Sequence, residues 1–128
     1  MLKSEEELNI FFEGIDYFNS HRYEEAHKLW EILWKQIGNT PRRLGLKVFL
    51  QLSAIYQNEK LQKLDSIRYS INTALKLFNA NKSLIAEVVK VTSIENFLTL
   101  YEDKNISLKE LDELIIKRNE VVFIKPRN

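Results

Sequence analysis

Residues that interrupt helices are almost missing from this chain. Glycine stands only at positions 14, 38 and 45, and proline only at 41 and 126. Glycine and proline carry the largest helix penalties, so a 128-residue chain with so few of them can run as long helices joined by short turns. Apolar residues recur at the matching three- and four-residue spacing. In "KSEEELNIFFEGIDYFNS" they are Leu8, Phe11, Phe12, Ile15 and either Tyr17 or Phe18. Ser4 followed by Glu5, Glu6 and Glu7 supplies an N-cap, a capping-box partner and an acidic first turn.

"NSHR" breaks this first helix, and a second is expected from about Tyr23 to Ile37, ending at "GNTP". Pro41 suits the start of a third helix, "RRLGLKVFLQLSAIYQNEK". A fourth is expected from near Asp65 through "DSIRYSINTALKLFNAN", with Ile67, Ile71, Ala74, Leu75 and Phe78 on one face and "NANKS" as its end. Farther on, helix and short strand compete in "LIAEVVKVTSIENFLTLYED", with helix favoured for "SIENFLTLYE" and Ser93 as its cap. Ser107 and Glu110 fit a second capping box, predicting a last helix in "SLKELDELIIKRNE", and "VVFIKP" reads as an extended, β-prone tail. The expectation is an all-α single domain over 1–128, a compact helical bundle built on antiparallel hairpins.

Gly14, Tyr17, Tyr23, Ala26 and Trp30 fall where a tetratricopeptide-like hairpin places its small and aromatic residues. "IRYSINTAL" echoes "AHKLWEIL" about forty residues later, too far for a strict repeat, so the spacing reports hairpin packing and not a solenoid.

Lys and Arg total 19 against 18 Asp and Glu, which gives no long-range pull toward nucleic acid or membrane. The absence of cysteine excludes disulfides, thiolate metal sites and cysteine nucleophiles. Apolar runs are too short for a bilayer span, and the acidic N-terminus does not resemble a signal peptide, so a cytoplasmic setting is expected. No phosphate-cradling glycine loop and no serine in a glycine elbow occur.

On a helical wheel, Tyr23, Ala26, Trp30, Leu33, Trp34 and Ile37 cover one broad face, and His27 lies at its edge beside Glu24 and Glu31. Glu24-x-x-His27 and His27-x-x-x-Glu31 are spacings able to bind a metal. A di-iron bundle needs a second Glu-x-x-His, and the only other histidine is His21. His27, Glu31 and Glu24 are therefore weak metal candidates, and no cofactor is expected. The favoured reading is a half-buried His27 bonded to a carboxylate or carbonyl, with Glu31 paired to an arginine. Trp30 and Trp34 are expected in the core, although paired tryptophans also suit base stacking.

The stretch "GIDYFNSHRYEEAHKLWEILWK" resembles the signature of the bacterial and archaeal family called domain of unknown function 309. Gly14, Phe18, Asn19, Ala26, His27, Trp30, Glu31 and Trp34 carry the resemblance, and Arg43 and Gln51 of "FLQLSA" continue it. It covers residues 8–80 best, with the C-terminal part, 83–128, less alike. Departures are Lys47 and Val48 in place of Gln and Gly, Gln57 in place of a histidine, and "KLDS" in place of a Gly-Asn turn. The resemblance implies an all-helical domain without an assigned activity. It also groups His27, Glu31, Arg43 and Gln51 between the second and third helices, as a closed polar network or as a pocket flanked by Trp30 and Trp34.

Three functions are weighed. The first is a non-enzymatic module binding a partner protein or small ligand, a second copy of the chain being one candidate partner. The second is a metal-assisted hydrolase centred on His27 and Glu31. The third is nucleic-acid binding through Arg42, Arg43, Lys47 and the basic tail. Catalytic residues are not assigned.

Overall fold

The computed structural model describes residues 1–119, so the "VVFIKP" tail and Arg127 after it lie outside the described residues. Among the described residues five α-helices follow in order: α1 (Glu5–Asn19), α2 (Tyr23–Ile37), α3 (Leu44–Lys60), α4 (Leu64–Ala86) and α5 (Thr92–Glu102). A 3-10 turn, Pro41–Arg43, leads into α3. The architecture is an all-α bundle in which each helix packs on its successor, α1 on α2 through α4 on α5. No helix among the described residues is long and apolar enough to cross a membrane.

Local chemistry explains the first three helices. Ser4 is the α1 N-cap, its Oγ accepting from Glu7 N–H at 3.1 Å, while Glu7 reaches back to the Lys3 N–H at 2.8 Å. Helix α2 ends at Gly38, whose φ of 76° and ψ of −168° lie in a region only glycine occupies without strain. Proline opens the 3-10 turn, where its missing N–H removes no bond.

Trp30 stands at the centre of the α1–α2–α3 packing, fully buried with Phe11, Phe18 and Phe49 at ring-centroid distances of 6.2, 6.0 and 5.7 Å. Its indole N–H donates to the Phe11 carbonyl at 3.2 Å. Gly14 makes room for it, since a Cβ at 14 would lie 2.2 Å from Trp30 Nε1. Here the small residue is required by close approach of two helices, not by backbone conformation.

Three expectations are corrected. "NANKS" does not end the fourth helix, which continues to Ala86 through non-helical angles at Asn81 (φ −127°, ψ 19°). There the Asn81 side chain donates to Leu77 O at 2.8 Å, and Ile85 beyond it is buried, so core packing draws the helix past the local break. Val91, not Ser93, occupies the N-cap of α5, and Ser93 Oγ donates to Ile115 O instead. The expected helix from Ser107 does not form, and residues 103–119 are non-helical.

This last segment is a strap laid across the bundle. It buries Leu108, Leu111, Leu114 and Ile116, and side chains from distant helices hold its backbone. Glu59 accepts from Leu111 N–H at 2.6 Å, and Tyr101 Oη accepts from Asp112 N–H at 2.7 Å. Tyr56 donates to Asp112 O at 2.5 Å. Among the described residues one antiparallel bridge, Val89 with Arg118, joins the strap to the α4–α5 turn. With these groups already paired, the local capping box has nothing left to win.

Candidate functional site

The polar residues expected between the second and third helices are brought partly together. His27, Glu31 and Trp34 on α2 and Lys47, Leu50 and Gln51 on α3, with Lys35, line one open cleft of about 300 Å³. Arg43 flanks it, its guanidinium lying 4.1 Å from the Trp34 ring centroid. Lys47 Nζ lies 5.8 Å from the same ring. Trp30 does not line the cleft but lies beneath it in the core. Trp34 is only half-buried, so the expectation that both tryptophans are core holds for Trp30 alone.

His27 divides the site into a closed and an open side. Nδ1 lies 2.6 Å from the hydroxyl of Ser53, a residue with no exposed surface. The Ser53 hydroxyl donates to the Leu50 carbonyl at 2.8 Å, leaving an oxygen lone pair for the Nδ1 hydrogen. Nε2 lies 3.1 Å from Glu31, whose side chain is 52% exposed and borders the cleft. Glu31 therefore pairs with His27, not with an arginine as expected.

Ser53, His27 and Glu31 line up as a hydroxyl, an imidazole and a carboxylate. That order is reminiscent of nucleophilic catalysis, but the geometry is unsuited to it. The hydroxyl is sealed in the core, occupied by Leu50 O, and lies mid-helix, where backbone N–H groups are consumed by the helix and form no oxyanion hole. Sequence reading did not find Ser53. Its one signal was position: a small polar residue on the buried stripe with Phe49, Leu52 and Tyr56.

Metal chemistry also meets an unhelpful arrangement. Glu24 pairs with Lys28 at 3.2 Å, away from His27. Among the described residues no group of three or more His, Asp and Glu side chains could hold a metal ion, which leaves His27 and Glu31 without a third ligand. Of the basic residues weighed for nucleic acid, Arg42 is engaged structurally. Its guanidinium grips Glu7 with bonds of 2.6 and 2.9 Å and donates to Met1 O, and the pair is mostly buried. The Arg42 hydrogen bond holds the Glu7 carboxyl below its ordinary value, and Glu7 raises Arg42 in return. Arg42 Nε, buried beside them, has no hydrogen-bond partner among the described residues.

A larger hollow, about 700 Å³, opens at the α1–α2 turn against the end of α3. Tyr23 and Tyr56 stack there at 4.5 Å and 8°, with His21 on the outer face of Tyr23. His21 takes a left-handed φ of 63° and contacts Glu113 of the strap. Burial, aided by Glu113 and Glu59, pushes the Tyr23 phenol up to about 12. Burial raises Tyr56 as well. The hollow's remaining charges are largely spoken for: Arg22 bonds Glu25, Lys28 bonds Glu24, and Glu59 holds the strap.

Comparison with known proteins places a boundary on the resemblance. Residues 11–63 match the model of the family described as domain of unknown function (DUF309). The segment contains His27, Ser53 and every residue lining the α2–α3 cleft, and it stops short of the strap. No curated protein matches the chain, and no solved structure does.

Proposed function

We propose, taking the match of residues 11–63 to a family of unknown function as the premise, that this protein is a non-enzymatic binding module. Its α2–α3 cleft seats a small ligand or a side chain of a partner protein. The observation that carries this is the asymmetry of His27, fixed by the buried Ser53 on one side and facing the cleft beside the exposed Glu31 on the other. A polar network built only for stability would bury both ends, because partly exposed hydrogen bonds return little net free energy. Half-buried Trp34 and Leu50 give the cleft an apolar wall, and Gln51 and Lys47 give it polar groups, the mixture that small-molecule sites use.

The test is amide and indole chemical-shift mapping of the intact protein against a metabolite collection and candidate partner proteins. Saturable shifts confined to the cleft support the reading. Shifts centred elsewhere, with the cleft silent throughout, would overturn it.

A further inference from the structure

The cations around Trp34 differ from the other arginines among the described residues. Arg22 bonds Glu25, Arg42 bonds Glu7, Arg118 bonds Asp16, and Arg68 donates to the Tyr101 carbonyl. Arg43 has neither a carboxylate nor a backbone carbonyl among the described residues. Its one polar partner among the described residues is Asn39 Oδ1, at 3.3 Å. A guanidinium offers five donors in a fork that fits a carboxylate or a phosphate, and here the fork lies over an indole with its donors nearly unused. Lys47, four residues on, reaches toward the same ring, and it and Lys35 line the cleft with no carboxylate partner among the described residues. Two lysines thus face one lining carboxylate, Glu31, which is already turned to His27.

We infer that the α2–α3 cleft takes a small organic anion, whose carboxylate or phosphate is held by Arg43 and Lys47 at the edge of the Trp34 ring. This rests on the cleft being a binding site and adds the class of ligand. Arg43 and Lys47 are both half-buried, so the charges are partly shielded from water and attract an anion more strongly than fully solvated side chains do. Gln51 supplies an amide donor beside them, and Leu50 packs the non-polar part of the ligand. Lys35 contributes a more exposed charge at the rim.

The molecule carries its own reporters, since its two tryptophans have separate environments: Trp30 donates to Phe11 O in the core, and Trp34 borders the cleft. Titrations of the intact protein with inorganic phosphate, citrate and adenosine monophosphate, followed through the two indole N–H signals, test the inference directly. Adenosine and spermidine serve as the neutral and cationic counterparts. The expected result is a saturable shift of the Trp34 signal by at least one anion, with Kd at or below ~1 mM, while Trp30 stays fixed. Whether citrate or the phosphates shift it more identifies which anion the site prefers.

Arg43→Gln and Lys47→Gln should each weaken that anion ~10-fold without changing the melting temperature. Lys90→Gln, at an exposed position outside the cleft, should leave binding intact. Anions that leave Trp34 unmoved, or bind Lys47→Gln as well as wild type, overturn the inference. If adenosine or spermidine alone moves Trp34, the anion assignment falls while the cleft stands as a site. If neither these probes nor any metabolite or partner protein moves it, both fall.

Discussion

The side chain of Asn19 is hydrogen-bonded in both directions to the backbone of Ile116. Its Nδ2 donates to Ile116 O at 2.8 Å, and its Oδ1 accepts from Ile116 N–H at 2.9 Å. One amide thus replaces the neighbouring strand that Ile116 lacks and fixes the strap at the turn between α1 and α2. Asn19→Ala leaves both Ile116 groups without that partner beside a buried side chain and should cost about 1–3 kcal/mol. Asn19→Asp keeps the acceptor and loses the donor, so it should fall between the two. Chemical denaturation measures the loss. Hydrogen exchange at the Ile116 amide should accelerate more than exchange in α3 does.

The two ends of His27 should respond differently to mutation. His27→Ala removes the N–H that the buried Ser53 hydroxyl accepts and part of the α2–α3 packing, so stability should drop by about 1–3 kcal/mol. Glu31→Gln alters a half-exposed side chain and should change stability by less than about 0.5 kcal/mol. Thermal melts of both variants, run side by side, check this. Equal destabilisation would mean that the carboxylate end is structural too.

Acid should act through Glu7 and Arg42. The folded carboxyl is held below its ordinary value by the arginine, so the unfolded chain takes up the proton first as pH falls. The pair's stabilisation is therefore complete above the ordinary glutamate value of 4.5 and is lost as pH falls through the lower folded value. Glu7→Gln leaves a mostly buried guanidinium unpaired and should cost about 1–3 kcal/mol at neutral pH. The difference between wild type and Glu7→Gln, measured by urea denaturation across that acid window, should shrink as pH falls.

Gly14 and Gly38 should resist substitution for different reasons. Gly14→Ala drives a methyl into the rigid, fully buried Trp30 ring and should cost about 1–3 kcal/mol despite alanine's better helix propensity. Gly38→Ala meets no neighbouring atom within 4 Å and is penalised by backbone strain alone, also about 1–3 kcal/mol. A second change, Trp30→Phe, separates the two. It should relieve part of the Gly14→Ala penalty and none of the Gly38→Ala penalty, as a double-mutant cycle would report.

The elements that sequence patterns located correctly are those decided within a few residues. Ser4, Gly38 and Pro41 mark helix ends through their own backbone and side-chain bonds, and the stripe from Ala26 to Ile37 shows one buried face. Where local and distant partners compete, the pattern misleads. Ser107 and Glu110 suit a helix start, yet the N–H groups of Leu111, Asp112 and Ile116 are taken by Glu59, Tyr101 and Asn19. The same limit hid half of the polar cleft. His27 and Glu31 were visible as a helical pair, while Ser53 depends on how α3 turns beneath α2.

The strap also bears on the order in which the chain comes together. The main contacts among the helices join chain neighbours and close short loops, whereas Asn19 must wait for Ile116, which is 97 positions later. During synthesis the helices emerge and pair while the ledge formed by Asn19, Tyr56, Glu59 and Tyr101 stands uncovered. For that interval the nascent chain presents polar side chains aimed at particular backbone groups, where a bare apolar furrow would attract any extended segment. Selectivity for the right segment is thereby written into the surface before that segment has left the ribosome.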